Sequence, residues 1–197
     1  MAKQRRNPKS SNTDRVRIIG GMWRSRVIAV APVEGVRPTP NRVRETVFNW
    51  LQPYIEGAEC LDLYAGSGAL GIEAASRGAK QVVLVDDNSE VIDTLREQVQ
   101  TLKADQIDVF QSDADQYIQN SIRPFDILFI DPPFFETDFE KLLNDLSNSK
   151  LLKPQSIVYL EFPVEKAEME LPTGWEWLKH KEAGQVGYGL LKGIIVL

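Results

Sequence analysis

Two short segments carry residue types that could do chemistry. The first is Asp131-Pro132-Pro133-Phe134, which follows the apolar run Phe125–Ile130. Two successive prolines fix the backbone and remove two N–H donors. What remains on four consecutive residues is a carboxylate, rigid acceptor carbonyls and an aromatic ring. An exocyclic amine on a nucleobase is a poor nucleophile, because its lone pair is delocalised into the ring. Donating its hydrogens to Asp131 and to the Pro132 carbonyl favours a pyramidal nitrogen with the lone pair free to attack. The same acceptors stabilise the positive charge that builds on nitrogen during transfer. Phe134 can stack on the base, a contact typically worth about 1–3 kcal/mol, and the base must leave its stack to enter. Pro-Pro alone would read as a rigid turn; the four-residue combination favours chemistry.

The second segment is Asp62-Leu63-Tyr64-Ala65-Gly66-Ser67-Gly68, between a strand candidate and a helix candidate. Glycines there permit a sharp turn and close backbone approach to a ligand. Asp86-Asp87 ends the next strand candidate, and Asp86 lies 20 residues after Gly66, where an acid can accept from both ribose hydroxyls. Gly66-Ser67-Gly68-Ala69-Leu70-Gly71 also fits the dinucleotide pattern G-x-G-x-x-G, a weak signal by itself. Asp62 separates the two cofactors. A carboxylate would repel a pyrophosphate, but it suits a ligand bearing an ammonium and a sulfonium, as S-adenosylmethionine does. Asp113, with Ala114 after it, is placed either to accept from an adenine amino group or to cap a helix, and both roles are compatible.

Positioning these groups takes an alternation of strands and helices. Strand candidates are Glu59–Leu63, Gln81–Val85, Ile107–Phe110, Phe125–Ile130 and Ser156–Leu160; helices are expected over Ala69–Arg77, Glu90–Leu102, Ala114–Asn120 and Phe139–Leu146. That order predicts an α/β fold with a parallel sheet covered on both faces. Trp175–Glu182 and Tyr188–Val196 have no helix between them and predict an antiparallel hairpin at one sheet edge. Upstream, Arg15–Ile19 alternates polar and apolar residues, Gly20-Gly21 signals a turn, and Met22–Val30 reads as a second strand. This hairpin would expose Arg15, Arg17, Arg24 and Arg26. Asn41 is expected to cap a helix from Arg42 to about Leu51.

The net charge of −5 conceals an asymmetry: residues 1–44 hold 11 Lys/Arg against 2 Asp/Glu, and the remainder 12 against 26. A basic segment on an acidic body points to a local polyanion contact. Residues 1–14 read as a disordered basic tail, 15–52 as an RNA-binding extension, and 53–197 as the catalytic domain. Cys60, the lone cysteine, excludes an internal disulfide and is expected to be a buried thiol. With one His, His180, no metal site is expected. No apolar run approaches the roughly 18 residues of a membrane helix, and a cytosolic, monomeric protein is expected.

Beyond these readings, the chain resembles the RsmD-type bacterial methyltransferases, which modify the N2 amino group of one guanine, position 966 in the usual numbering, in 16S rRNA. The resemblance runs from Arg15 onward. It rests on Arg17-Ile18-Ile19-Gly20-Gly21-Met22-Trp23-Arg24, on Arg37-Pro38-Thr39-Pro40-Asn41-Arg42-Val43-Arg44-Glu45-Thr46-Val47-Phe48-Asn49-Trp50-Leu51, on Asp62–Gly68, on Asp131–Phe134 and on Ala183-Gly184-Gln185-Val186-Gly187-Tyr188. It implies a Rossmann-like, seven-stranded class I methyltransferase sheet with an N-terminal β-hairpin extension. It implies a cradle for the methionine part of S-adenosylmethionine at Asp62, Tyr64, Ala65, Gly66, Ser67 and Gly68. Asp86 and Asp87 would serve the ribose, and Asp113 and Ala114 the adenine. Asp131, Pro132, Pro133 and Phe134 would be catalytic. Phosphate contacts would come from Arg15, Arg17, Arg24, Arg26, Arg37, Arg42 and Arg44, on an assembled or assembling 30S subunit. Thr39 and Pro40 are expected near the transferred methyl. The rivals are a base methyltransferase acting on adenine N6 in DNA or RNA, an NAD-dependent oxidoreductase, which would not explain Asp131–Phe134, and a non-catalytic RNA-binding relative.

Overall fold

The apolar runs become the middle strands of one sheet. A computed structural model describes residues 15–33 and 39–192; the basic tail, Arg37 and Val196 lie outside the described residues. In chain order the elements are β1 (Arg15–Arg17), β2 (Val27–Ala29), α1 (Asn41–Ile55), β3 (Glu59–Asp62), α2 (Ala69–Ser76), β4 (Gln81–Asp86), α3 (Ser89–Leu102), β5 (Ile107–Gln111), α4 (Ala114–Asn120), β6 (Phe125–Ile130), α5 (Phe139–Ser147), β7 (Leu152–Pro163), a 3-10 turn at Val164–Lys166, β8 (Glu176–Ala183) and β9 (Val186–Lys192).

Strands β3 to β9 form a seven-stranded sheet in the order β5-β4-β3-β6-β7-β9-β8. β5, β4, β3, β6 and β7 are parallel, and β9 runs antiparallel between β7 and β8. The α/β architecture and the antiparallel edge follow the sequence reading. The strand order reverses between β3 and β6, the neighbours that end at Asp62 and just before Asp131. Ligands of such sheets bind at that reversal, beyond the carboxyl ends of the strands.

Residue alternation assigns the two faces. Cys60, Leu84, Ile127, Phe129, Ile157 and Tyr159 share a core with α1, α2, α3 and the hairpin, while Leu61, Val85, Leu128, Ile130 and Leu160 pack with α4 and α5. Burying strands on both faces explains their nearly continuous apolar composition. Cys60 is fully buried and its thiol pKa is pushed up by desolvation, as expected of a structural cysteine.

The N-terminal segment departs from its expected geometry in ways that have physical causes. The second hairpin strand is only Val27–Ala29, not Met22–Val30. Residues 18–26 instead form a loop docked on α2: Met22 N–H donates to the Ser76 carbonyl at 2.7 Å and Trp23 N–H to the Ser76 hydroxyl at 3.0 Å. Gly21 is required by this approach, since a Cβ there would lie 1.7 Å from the Ser76 carbonyl oxygen. Helix α1 runs past Leu51, through Pro53, to Ile55, whose side chain is buried. Asn41 does not cap it; Pro40 holds the capping position, and Asn41 Oδ1 accepts from Arg44 at 2.6 Å.

Arg44 itself is a correction. Expected among the phosphate-binding arginines, it is fully buried: its guanidinium donates to the Arg17 carbonyl at 2.9 Å and lies 3.6 Å from Glu73 Oε2. Glu73 is likewise buried, and its carboxylate accepts from Ile19 N–H at 2.7 Å, Gly20 N–H at 2.8 Å and Arg77 Nε at 2.6 Å. Arg44 therefore fastens hairpin, α1 and α2 together and presents no charge to a partner.

Candidate active site

Each acidic residue of the site sits at or just past a strand's carboxyl end. Asp62 closes β3 and is 1% exposed. Its Oδ2 accepts from Gly71 N–H in the first turn of α2 at 2.9 Å, while Oδ1 is buried with no hydrogen-bond partner. Gly71 permits the contact, because a Cβ there would meet Leu84 Cδ2 at 2.2 Å. Desolvation pushes the Asp62 pKa up from 3.8 to about 7; the Gly71 bond opposes this and the nearby Asp86 adds to it. An orphaned, desolvated carboxylate oxygen is an expensive feature in an empty core. A cationic group arriving from outside would satisfy it.

The rest of the glycine-rich loop is held by short-range bonds and by β4. Ala65 N–H donates to the Val85 carbonyl, Gly68 N–H to the Ala65 carbonyl, and the buried Ser67 hydroxyl accepts from Ala69 N–H. Asp86, half-buried at the end of β4, accepts from Gly66 N–H at 2.9 Å and Asn88 N–H at 3.0 Å. One donor per carboxylate oxygen leaves acceptor capacity for two hydroxyls. Desolvation raises its pKa too. Asp87 is exposed, and its carbonyl accepts from the Gln111 side chain. Asp113 caps α4 by accepting from Gln116 N–H at 3.1 Å. That settles the capping role on geometry and leaves its carboxylate exposed beside the site. Tyr64 and Ala114 are half-buried there. The residues present thus fit S-adenosylmethionine: an unpaired carboxylate for its cationic end and an acidic acceptor one strand over for its ribose.

Asp131 follows β6 across the order reversal. It is half-buried, and Oδ2 accepts from the Thr39 hydroxyl at 3.4 Å. Burial and the proximity of Glu161 and Asp62 push its carboxyl well above the usual range. Among the described residues, nothing donates to the Pro132 carbonyl, whereas the Pro133 carbonyl accepts from the Thr137 hydroxyl at 2.8 Å and from Glu136 N–H at 3.3 Å. The Phe134 ring is half-buried and edge-on to Phe139 at a centroid distance of 6.2 Å, while Phe135 beside it is fully exposed.

Two residues here escaped the sequence reading. Glu161, near the end of β7, is 6% exposed and accepts from the Tyr159 hydroxyl at 2.6 Å. Phe135 was passed over beside Phe134. The arginines divide: Arg15, Arg17, Arg24, Arg26 and Arg42 are exposed, and Arg44 is not. Arg26 also donates to the Thr101 carbonyl at 3.1 Å.

Comparison with known proteins places this geometry. A family model described as "Conserved hypothetical protein 95" matches residues 16–192. The chain belongs to that family. It is 41% identical over 185 residues to "Ribosomal RNA small subunit methyltransferase D" of Escherichia coli (strain K12), covering 94% of this chain and 93% of that protein. It is 44% identical over 179 residues to the protein of the same name from Haemophilus influenzae, covering 89% and 92%. The solved structure of the Escherichia coli protein yhhF superposes with a TM-score of 0.84 at 41% identity, covering 92% of this chain and 99% of that one. Membership of the family bears out the RsmD-type resemblance, and the seven-stranded sheet with its N-terminal hairpin is the fold that resemblance implied. The chain is an S-adenosylmethionine-dependent methyltransferase by fold and family. Among the described residues no helix is long and apolar enough to cross a membrane.

Proposed function

We propose that the chain transfers a methyl group from S-adenosylmethionine to the exocyclic N2 amino group of a guanine in 16S rRNA, position 966 in the usual numbering. Its substrate would be the small ribosomal subunit, assembled or assembling, met in the cytoplasm by a monomer. The relatives' names supply the RNA. The observation that carries the reading is the pairing across the strand-order reversal: Asp62, with a buried oxygen lacking a donor, and Asp131, held by Thr39 and raised by desolvation.

When bound, S-adenosylmethionine supplies a methyl group on a cationic sulfur. Asp62 would hold its positively charged end and Asp86 its ribose hydroxyls, with Asp113 and Ala114 at the adenine. Asp131 and the Pro132 carbonyl accept the two N2 hydrogens, so the nitrogen lone pair faces the methyl carbon. Asp131 would stabilise the positive charge that builds on nitrogen as it gains the methyl group, and would take the proton the nitrogen then loses. Desolvation strengthens that interaction, since charges act over a lower effective dielectric away from water. Phe134 or the exposed Phe135 offers a face for the unstacked base.

The test maps the methylated nucleoside after purified protein meets unmodified small subunits and methyl-labelled cofactor. N2-methylguanosine at one site is expected. Asp131→Ala should lower transfer by about 10²–10³-fold, the usual cost of removing a group that stabilises transition-state charge, with cofactor and particle binding retained. Label on another base, or an unaffected Asp131→Ala enzyme, would overturn the reading.

A further inference from the structure

The buried glutamate beside Asp131 has no part in the methyl transfer described above, and its position is set by sheet register. β6 and β7 are parallel neighbours with Phe129 opposite Tyr159 and Ile130 opposite Leu160. One step further brings Asp131 alongside Glu161. Alternation turns both toward the face covered by α1, α2 and α3, the face on which Phe129 and Tyr159 lie. On the other side, β9 sets Tyr188 opposite Glu161. The two carboxylates thus stand on adjacent strand ends, and the Thr39 hydroxyl ahead of α1 donates to Asp131. One Glu161 oxygen is committed to the Tyr159 hydroxyl, which fixes the group's orientation and leaves the other oxygen's lone pairs as its remaining capacity.

No Lys, Arg or His among the described residues pairs with Asp131 or Glu161. Burial alone raises the Glu161 pKa, as it does that of Asp131, and donors arriving with a base would favour the ionised form. Two desolvated acids side by side, without a cation, call for hydrogen-bond donors from outside. A flipped base is read along its Watson–Crick edge. Guanine presents donors at two adjacent positions of that edge, N1–H and the N2 amino group. Adenine and cytosine present one amino group beside a bare ring nitrogen, whose lone pair would face a carboxylate's lone pair.

We propose that Glu161 is the specificity-determining residue for guanine, its free carboxylate oxygen accepting N1–H while Asp131 takes an N2 hydrogen. The inference rests on the guanine-N2 reading and names the group that enforces it. Asp131 then serves the reaction and Glu161 the choice of base, with Tyr159 as the positioning residue that holds Glu161 in line.

2-Aminopurine tests the assignment, because it keeps the 2-amino group but carries a bare N1. Small-subunit particles with guanine or 2-aminopurine at the target are compared for methyl transfer, using wild-type protein and Glu161→Gln. The wild type should favour guanine by about 100-fold, within the range a well-placed hydrogen-bond pair gives against a mismatched base. In Glu161→Gln the new amide can donate to the bare N1, so the preference should fall below about tenfold, with cofactor affinity unchanged. A guanine preference that stays the same in a Glu161→Gln protein that binds cofactor would overturn the proposal and leave guanine methylation standing. A variant that loses cofactor binding through misfolding leaves the wild-type comparison to decide: equal transfer to the two bases overturns the proposal. Wild-type protein that leaves guanine unmethylated while modifying another base would overturn both.

Discussion

With Oδ2 held by Gly71 and Oδ1 buried without a donor, Asp62 keeps its proton up to a pH of about 7 in the folded protein. In the unfolded chain it loses that proton near 3.8. Between those values the folded state binds more protons than the unfolded state. Stability of the cofactor-free protein therefore falls as pH rises through the window, by at most about 1.36 kcal/mol per unit. Asp62→Asn should flatten that slope and raise the thermal midpoint above pH 7, because the amide needs no charge desolvated. The same variant should lose roughly 10–100-fold in cofactor affinity, the usual worth of a hydrogen bond to a charged group. Denaturant titrations between pH 4 and 8, set beside calorimetric binding, check both signs at once. A destabilised Asp62→Asn protein at pH 8 would contradict this account. On this account the carboxylate is optimised for binding at the expense of the fold around it.

At the scale of elements, α2 is the piece on which the rest is assembled. Glu73, in its middle, gathers Ile19, Gly20, Arg44 and Arg77. Glu73→Ala should leave the Arg44 guanidinium buried and uncompensated, a loss of about 3–5 kcal/mol for a broken buried pair. A urea midpoint shift measures it, and a change within 1 kcal/mol would refute the role. Elements were legible in the sequence wherever local pattern decides them: Phe125–Ile130 was located to the residue, and Asp131 with it. Arg44 was misread because its neighbours Arg37 and Arg42 suggested one basic cluster. Yet Arg44, Val47, Phe48, Leu51 and Ile55 share a helical stripe, and that spacing was the available signal of burial. Glu73 gave a similar hint, as the lone charge in the otherwise uncharged segment Ala69–Ser76. Glu161 gave none, since its pairing with Asp131 depends on which strands are neighbours and in what register. Short strands such as β2 were overextended because docking on α2, invisible locally, overrode the strand pattern of Met22–Val30.

Across the whole molecule, a net charge of −5 coexists with exposed Arg15, Arg17, Arg24, Arg26 and Arg42 at the N-terminal side. On the proposed function, the acidic body would discourage indiscriminate RNA binding and the basic segment would set where a particle is met. Replacing Arg15 and Arg17 together by Gln should weaken particle binding and reduce the log–log salt slope by about 0.7 per lost phosphate contact. Arg44→Gln should instead lower stability. Filter binding across a salt series separates the two behaviours; an unchanged slope for the Arg15/Arg17 variant would remove those residues from the interface.

Helix α2 spans only Ala69–Ser76, yet its first turn anchors Asp62 and its last residue grips the N-terminal loop. Anyone grafting this sheet onto another recognition module would find no clean seam at residue 53. Cutting there takes Ile19, Gly20 and Arg44 from Glu73, leaves it Arg77, and loosens the same short rod that steadies the glycine-rich turn. Exchanging the N-terminal module thus means redesigning a carboxylate one helical turn from the glycine-rich turn.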